Sequence, residues 1–230
     1  MRRPPAPRSA VDSGAVGGLR LASAVRGSVL GVCLVLVVLA GPSRAPAEDA
    51  PDVTAAFEIC RQADALPSDD KPAQISLLNR GVQLAEAAVA ARPGDVRAHL
   101  ALCCTFGKAV EAAGLSWRSL QRLNRLKAMV ETASTLAPND PDVWVAKGEL
   151  LRRLPPVLGG DVREAERLYR RALATNPDQL EARIGLAHIL DGRDDPDAGN
   201  AIALAFTAAQ QSGTPRQRAE TWQLYSKARR

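Results

Sequence analysis

Apolar and polar residues alternate along residues 52–230 at the three-to-four-residue spacing of amphipathic helices. The apolar positions are mostly leucine and alanine, and runs of β-branched residues occur only near the N-terminus. Asp95, Asp140 and Asp161 stand where helices would begin, and an aspartate side chain can accept hydrogen bonds from the free amides of a first helical turn. The pattern predicts about nine helices and an all-α protein.

Three of the predicted helices end in the same way, at a proline that has an alanine five residues earlier and a small or apolar residue eight residues earlier. These sets are Ala85, Ala88 and Pro93; Val130, Ala133 and Pro138; and Tyr169, Ala172 and Pro177. The alanine lets two helices approach closely, the residue before it fills the gap, and the proline stops the helix. The chain is therefore built from a repeated unit.

The first half of this unit is clearest at Trp144, which is followed by Lys147, Gly148 and Leu151. Glycine inside a helix costs about 1 kcal/mol relative to alanine. Gly148 therefore indicates a place where another helix crosses against a bare Cα.

These features resemble the tetratricopeptide repeat, which reads W-x2-L-G-x2-Y and then A-x3-F…P within about 34 residues. Lys147 and Leu151 depart from that pattern. The repeat-defining residues are Trp144, Gly148, Ala165, Tyr169, Ala172 and Pro177. The resemblance is strong over residues 141–177 and diffuse over the rest of 52–230. It implies helical hairpins stacked into a right-handed superhelix with a concave groove.

Four hairpins and a last helix are predicted after the N-terminal segment, within one repeat domain at 48–230. Their approximate ranges are 52–92, 95–137, 141–176 and 179–212, with a capping helix at 215–229. By repeat position, His99 and Arg183 occupy the place of Trp144 in their own units. The units exceed 34 residues by unequal amounts, and we expect the excess in the turn inside each unit. AVEAAGLSWRSLQR should hold the longest turn, LPPVLGGD the second and DGRDDPDAGN the shortest.

The turn LPPVLGGD lies inside the best-preserved unit. Pro155 and Pro156 should end one helix, a pair of glycines should reverse the chain, and Asp161 should cap the next helix, with Glu164 completing a capping box. Val157 and Leu158 either tuck under the turn or face a partner.

Residues 1–47 have the features of an export signal. Arginines precede twelve apolar residues, Val29–Ala40, and small residues follow around Ala45–Ala47. Cleavage is expected after Ala47 and the mature protein is expected outside the cytoplasm, in the periplasm or an equivalent compartment. The alternative is an uncleaved anchor, which would be the protein's one contact with a membrane.

The excess positive charge lies in the same segment. Residues 1–47 hold six arginines and one acid, which leaves 24 of the 30 basic and 24 of the 25 acidic residues for the rest of the chain. No stripe of one sign remains, so a nucleic-acid partner is not expected.

Three cysteines follow the export signal: Cys60, Cys103 and Cys104. Cys60 could pair with Cys103 or Cys104 if the first two hairpins stack, because disulfides persist outside the cytoplasm. The alternative, which the residues favour, is that all three are small buried apolar side chains.

The sequence contains no arrangement that predicts catalysis. It lacks a nucleophile elbow, a phosphate-binding loop, paired zinc-binding cysteines and the spacing of a calcium loop, so we expect no catalytic, cofactor or metal site. The two histidines fall in different repeats. An enzyme would need a histidine and a carboxylate brought together across repeats, with His188 as the candidate.

Binding remains as the expected function. In tetratricopeptide proteins the second, fifth, ninth, twelfth and thirteenth places of each first helix line the groove. These places give Arg97, Cys104, Lys108, Asp142, Glu149, Arg152, Arg153, Glu181 and His188. Their mixed polarity fits a protein or peptide partner and implies a non-enzymatic scaffold; the oligomeric state stays open.

A weaker resemblance covers only residues 154–177. A proline, two glycines and the following helix are similar to the periplasmic T component of tripartite ATP-independent transporters and to the regulators of microtubule dynamics. This gives the alternative function: an accessory of a periplasmic solute-uptake system that encloses a small apolar ligand.

Overall fold

The computed structural model describes residues 52–114 and 117–230, and only the backbone of residues 117–120. The expected export signal at 1–47 lies outside these residues. Within the described part the chain forms nine α-helices. They are α1 (Val53–Ala63), α2 (Lys71–Ala91), α3 (Val96–Ala113), α4 (Trp117–Leu136), α5 (Pro141–Arg153), α6 (Val162–Thr175), α7 (Leu180–Asp191), α8 (Ala198–Ser212) and α9 (Pro215–Ala228). The all-α prediction is confirmed.

Each helix packs against the next one along the chain, which gives four successive hairpins followed by α9. Each odd-numbered helix also packs against the next odd-numbered helix. The backbones of the even-numbered helices, over the residues that the structure describes, do not approach one another in this way. Helices that lie closer together belong to the inside of a curved stack, so the odd-numbered helices form its inner side.

Aspartate caps begin several of these helices, as predicted. Asp95 accepts from the amides of Arg97 and Ala98, and Asp140 accepts from the amide of Asp142. Because each cap satisfies amides that have no partner inside their helix, it fixes where the helix begins.

The side chain at the Trp144 place fastens each unit to the unit before it. In three units this side chain donates a hydrogen bond of 2.8 Å to the carbonyl of the proline that ended the preceding helix. The pairs are His99 Nε2 with Pro93, Trp144 Nε1 with Pro138 and Arg183 Nε with Pro177. Three different residue types make the same contact, which confirms the repeat alignment of His99 and Arg183.

Among the described residues, Tyr169 is the largest fully buried side chain, and it lies between two glycines. A Cβ on Gly148 would lie 2.8 Å from the Tyr169 ring, and a Cβ on Gly185 would lie 2.3 Å from it. Gly148 therefore has the predicted role of admitting a crossing side chain. Gly185 has the same role from the next unit, which the repeat spacing does not indicate, because Gly185 follows Arg183 by two residues whereas Gly148 follows Trp144 by four. Ala165 and Ala172, on the same helix as Tyr169, are also fully buried.

The expected location of the longest unit's extra residues is wrong. AVEAAGLSWRSLQR does not form an extended turn, because α3 continues to Ala113 and α4 begins at Trp117. The excess instead lengthens the two helices, to 18 and 20 residues. Most of the segment consists of good helix formers, and helix continuation satisfies backbone groups that a long turn would leave to water.

The turn inside the best-preserved unit has the predicted course, but the predicted capping box is wrong: the Asp161 amide donates to the Leu151 carbonyl, and the Glu164 carboxylate pairs with Arg167 instead. α5 ends at Arg153, a 3₁₀ turn covers Pro156–Leu158, and Gly159 has the left-handed backbone that favours glycine (φ 85°). The Asp161 carboxylate then accepts from the amide of Glu164 at 3.0 Å. The Val157 side chain is 91% exposed, so it is presented to solvent and does not tuck under the turn.

The cysteines do not all remain free, contrary to the favoured expectation. Cys60 on α1 and Cys104 on α3 form a disulfide, with their Cα atoms 6.4 Å apart, and Cys103 is a buried free thiol. α1 and α3 are neighbouring odd-numbered helices, so their facing positions come within disulfide range. Cys103 is one residue along the helix and points into the core.

Candidate functional site

Charged side chains from helices far apart in sequence meet on the inner side of the stack. We call this surface the inner face and define it by Asp64, Lys108, Glu111, Glu149, Arg152, Arg153, Glu181, His188, Arg216, Gln217 and Glu220. Most of the predicted groove residues belong to it. The structure adds Asp64, Glu111 and the residues of α9.

Glu149 on α5 is the centre of one cluster. Its carboxylate pairs with Arg152 at 2.9 Å and with Arg153 at 2.8 Å, and it accepts a hydrogen bond of 2.7 Å from the Tyr169 hydroxyl. Burial alone would raise the pKa of Glu149, but the two guanidinium groups and the tyrosine hydroxyl lower it to about 2. Burial and the neighbouring carboxylate raise the pKa of Tyr169, so its hydroxyl stays protonated and donates. Glu149 therefore links the inner face to the buried tyrosine of the core.

Glu111 at the end of α3 joins two more helices to this cluster. It pairs with Arg153 of α5 at 3.1 Å and also with Arg216 of α9. Residues 111 and 216 are 105 positions apart in the chain, so this contact exists only because the stack curves. All three side chains are two-fifths or more exposed, so this ion-pair bridge is open to solvent.

Asp64, just beyond α1, is the most buried acid of the inner face, with 5% of its side chain exposed. Its Oδ2 pairs with Lys108 and accepts from the Thr214 hydroxyl at 3.4 Å. Its Oδ1 lies 3.9 Å from the Arg216 guanidinium and, among the described residues, has no hydrogen-bond partner. Asp64 also lines a polar cavity of about 10 Å³. A cavity of this size and polarity holds about one water molecule.

Helix α9 reaches α7 through a second set of contacts. His188 Nε2 lies 2.6 Å from the Glu220 carboxylate, and the Gln217 amide donates to Glu181 at 3.2 Å. Burial alone would raise the pKa of Glu220, but the His188 contact and the charge of Arg153 together hold that pKa below its ordinary value. No hydroxyl or thiol in the described part of the chain hydrogen-bonds His188, so the pair lacks the nucleophile of a catalytic triad.

The remaining predicted groove residues lie apart from these clusters. Asp142 accepts a hydrogen bond from the Gln179 side-chain amide, which joins the starts of α5 and α7. The Arg97 guanidinium lies over the Phe57 ring, 5.6 Å from its centre, in a cation–π contact. Cys104 is committed to its disulfide and offers no thiol to a partner.

Sequence reasoning missed the α9 contribution because it treated α9 as a cap on the open end. A signal was present: counting from Gly213, which stands in the place of the repeat proline, puts Gln217 and Glu220 at the second and fifth places of a first helix. Those are groove-lining places. α9 also begins with a full capping box between Thr214 and Gln217, so it starts as a regular helix.

An open cleft on the outer side lies between α6, α7 and α8. Its volume is about 370 Å³, and leucines form much of its lining, including Leu173, Leu186 and Leu204, together with the charged residues Arg170 and Asp197. The alternative function requires an enclosed apolar pocket, whereas this cleft opens to solvent and the inner face is charged.

Metal sites and membrane spans are both absent from the described residues. These residues contain no group of three or more His, Cys, Asp or Glu side chains arranged to hold a metal ion. None of their helices combines the length and the apolar character needed to cross a membrane.

Comparison with known proteins agrees with the repeat fold of stacked helical hairpins. Residues 158–219 match a family model described as a tetratricopeptide repeat. No curated protein matches the chain. Among solved structures, a thermophilic TPR protein from Thermus thermophilus is similar with a TM-score of 0.52 and 20% identity, over 77% of this chain and 83% of that one. YrrB, a TPR protein described as having an unusual peptide-binding site, matches with a TM-score of 0.35 and 14% identity, over 78% of this chain and 98% of that one.

The family match covers the second helix of the third hairpin, the whole fourth hairpin and the start of α9, and the stacked hairpins extend the same architecture over the rest of the described chain. The resemblance drawn from the sequence is thus confirmed: residues 158–219 match the tetratricopeptide-repeat family model, and the described helices have the fold of such repeats.

Proposed function

We propose that the chain is an exported, non-enzymatic scaffold that binds a protein or peptide segment on its inner face. The observation that carries this proposal is the convergence of charged side chains from α3, α5, α7 and α9 on one surface. A surface with both signs of charge at fixed positions suits a segment that presents carboxylates and cations in a matching order.

The existing ion pairs of the inner face can be exchanged for contacts with such a partner. Pairs between exposed charges are worth about 0–1 kcal/mol each, so a partner can take over one side of a pair at little cost. Glu111, Arg153 and Arg216 form the exposed bridge and are the residues we assign to partner contact. Glu149 pairs with both Arg152 and Arg153, and Tyr169 hydrogen-bonds Glu149. The two arginine side chains are therefore already ordered, which reduces the side-chain conformational entropy that is lost when a partner binds.

Export rests on two observations. Residues 1–47 have the composition of a signal segment, and the Cys60–Cys104 disulfide is of the kind that persists in oxidising compartments. Mass spectrometry of the protein isolated from an envelope fraction should find an N-terminus at Glu48. A cytoplasmic protein with reduced cysteines would refute this part of the proposal.

The direct test of binding is affinity capture from a native envelope extract. The bait is the exported protein, compared with the double variant Arg153→Gln, Arg216→Gln. The matched control is Arg80→Gln, Arg163→Gln, which removes two exposed arginines that form no ion pair with a described residue, from the even-numbered helices α2 and α6.

A protein that is captured by the wild type and by the control, but lost with the inner-face variant, supports the proposal. Equal capture by all three baits places binding elsewhere. No specific capture under several growth conditions, with folded bait, contradicts a scaffold function.

A further inference from the structure

Three aromatic side chains cluster where α8 packs against α9, away from the inner face, and one of them, Trp222, is exposed. The Phe206 and Tyr225 rings stack with centres 4.6 Å apart and an interplanar angle of 12°, and Trp222 lies 5.9 Å from Phe206. We call these three residues the aromatic patch. The whole chain has only three tryptophans, two tyrosines and three phenylalanines, so three of its eight aromatic residues gather here.

The aromatic patch is not simply the core between α8 and α9. Thr221 and Leu224 of α9 are buried, and Tyr225 packs at the edge of the apolar cluster that contains Leu224. Trp222, by contrast, is 56% exposed, the largest exposure of any aromatic side chain that the structure describes. Folding therefore buries less than half of the surface of Trp222, and its exposed ring can contact a partner.

Arginines continue the patch along the same side of α9. Arg218 precedes Trp222 by four residues and Arg229 follows Tyr225 by four, and this spacing places the residues on one helical stripe. The Arg229 guanidinium lies 5.6 Å from the centre of the Tyr225 ring and donates to its hydroxyl at 3.0 Å. The stripe thus reads cation, aromatic, aromatic, cation.

No described carboxylate neutralises these two arginines. The acid of α9, Glu220, faces His188 on the inner face, and Lys227 takes the nearby Asp191 at 2.8 Å. Arg218 and Arg229 form no ion pair with any residue in the described ranges. The patch therefore has uncompensated positive charge at both ends of an aromatic surface.

We propose that the aromatic patch is a second interaction surface, which binds an acidic segment of a protein partner that carries apolar side chains between its carboxylates. Tryptophan, tyrosine and arginine are the residues that contribute most binding energy at protein interfaces. Carboxylates match the two guanidinium groups by charge, and the apolar side chains cover the exposed indole and the ring stack. This surface is independent of the inner face, so the scaffold would hold two partners or two parts of one.

An anionic membrane is the other surface with suitable charge, and the geometry favours it less. Membrane insertion needs apolar side chains that reach about 5–10 Å into the lipid boundary. Phe206 and Tyr225 are stacked and half-buried, so Trp222 alone projects from the aromatic patch. A protein segment can bind to the surface of the aromatic patch without any side chain of this protein reaching about 5–10 Å into the partner.

The test uses a synthetic peptide in which leucines alternate with pairs of glutamates, and the isosteric peptide with glutamine at every glutamate. Binding to the full chain is followed by fluorescence anisotropy of a labelled peptide and by tryptophan emission. We expect the acidic peptide to bind with an affinity that falls as salt rises, and the glutamine peptide to bind at least about tenfold more weakly. The emission change should be absent in Trp222→Phe.

Charge variants locate the binding site. Arg218→Gln, Arg229→Gln should weaken binding of the acidic peptide about tenfold or more, whereas Arg80→Gln, Arg163→Gln should leave it unchanged. These substitutions lie on exposed positions, so circular dichroism should show the same helix content in both variants.

Several outcomes overturn the proposal. One is that neither peptide binds, and another is that both bind equally. Loss of binding in Arg153→Gln, Arg216→Gln but not in the patch variant would place the acidic segment on the inner face and would support the function proposed above. Binding of phosphatidylglycerol vesicles that depends on Arg218 and Arg229, without peptide binding, would identify a membrane surface.

Discussion

The indole Nε1 of Trp144 donates a hydrogen bond of 2.8 Å to the carbonyl oxygen of Pro138, across the junction between two repeats. His99 and Arg183 make the equivalent bond in their own units. The proline ends one helix, and the side chain six residues later fixes the direction in which the next helix departs. This place in the repeat therefore requires a long side chain with a donor at its tip.

Trp144→Phe should destabilise the protein by about 1–2 kcal/mol, because it keeps a buried ring but leaves the Pro138 carbonyl without its donor. Urea unfolding followed by circular dichroism measures this change. Trp222→Phe is the matched control, since Trp222 is exposed, and should change the free energy of unfolding by less than about 0.5 kcal/mol. Equal effects of the two substitutions would refute the role given to the hydrogen bond.

Gly185→Ala should be destabilising by about 1–3 kcal/mol even though alanine favours helices, because the new methyl would lie 2.3 Å from the Tyr169 ring. Gly199→Ala, in a helix with nothing within 4 Å of the added Cβ, should be neutral or stabilising by up to about 1 kcal/mol. Thermal unfolding compares the two. A stabilising effect of Gly185→Ala would show that Tyr169 can move away without cost.

Stability should fall in acid partly through Glu149. Its pKa in the folded protein is about 2, below the ordinary value of 4.5, so its contribution is complete above about pH 4.5 and is lost as the pH falls towards 2. That contribution is up to about 3 kcal/mol. Glu149→Gln should lower stability at pH 7 and flatten the dependence on pH between 4.5 and 2.

Urea unfolding at a series of pH values checks the Glu149 prediction. Glu131→Gln is the control, since Glu131 is an exposed carboxylate whose described ion pair is with Lys147 alone. If Glu149→Gln and the wild type lose stability in parallel below pH 4.5, the ion-pair cluster on α5 does not stabilise the fold.

Cys60→Ala, Cys104→Ala should lower the free energy of unfolding by about 2–4 kcal/mol, because the disulfide closes a loop between residues 44 positions apart and restricts the unfolded chain. Reductant should then have no further effect on the stability of the variant.

Burial raises the pKa of the Cys103 thiol to about 12, so native protein should resist alkylation at that cysteine. Among the three cysteines after residue 47, unfolding without reductant should expose one alkylatable thiol. Labelling of all three under those conditions would rule out the disulfide.

The repeat itself could be read from the sequence because its signals are local. Proline, alanine and glycine at fixed spacing reflect constraints on single helices and on their closest contacts, and Trp144, Gly148 and Pro177 have the places that this spacing predicts. The lengths of the helices are harder to predict from the sequence. The length of the second unit predicts an extended turn, but AVEAAGLSWRSLQR mostly extends α3 and α4, since nothing in the segment is incompatible with a helix apart from Gly114.

The sequence by itself thus determined the existence of the helices, the repeat and part of the set of residues on the inner face, because side-chain type and periodicity are local properties of one repeat unit. Tertiary structure alone decided which inward residues meet. The bridge from Glu111 to Arg153 and Arg216, the choice of Cys104 over Cys103 and the gathering of Phe206, Trp222 and Tyr225 all depend on the curvature of the stack or on the packing of one helix against another. Curvature accumulates from small angles at every helix contact, and no local pattern in the chain encodes that sum.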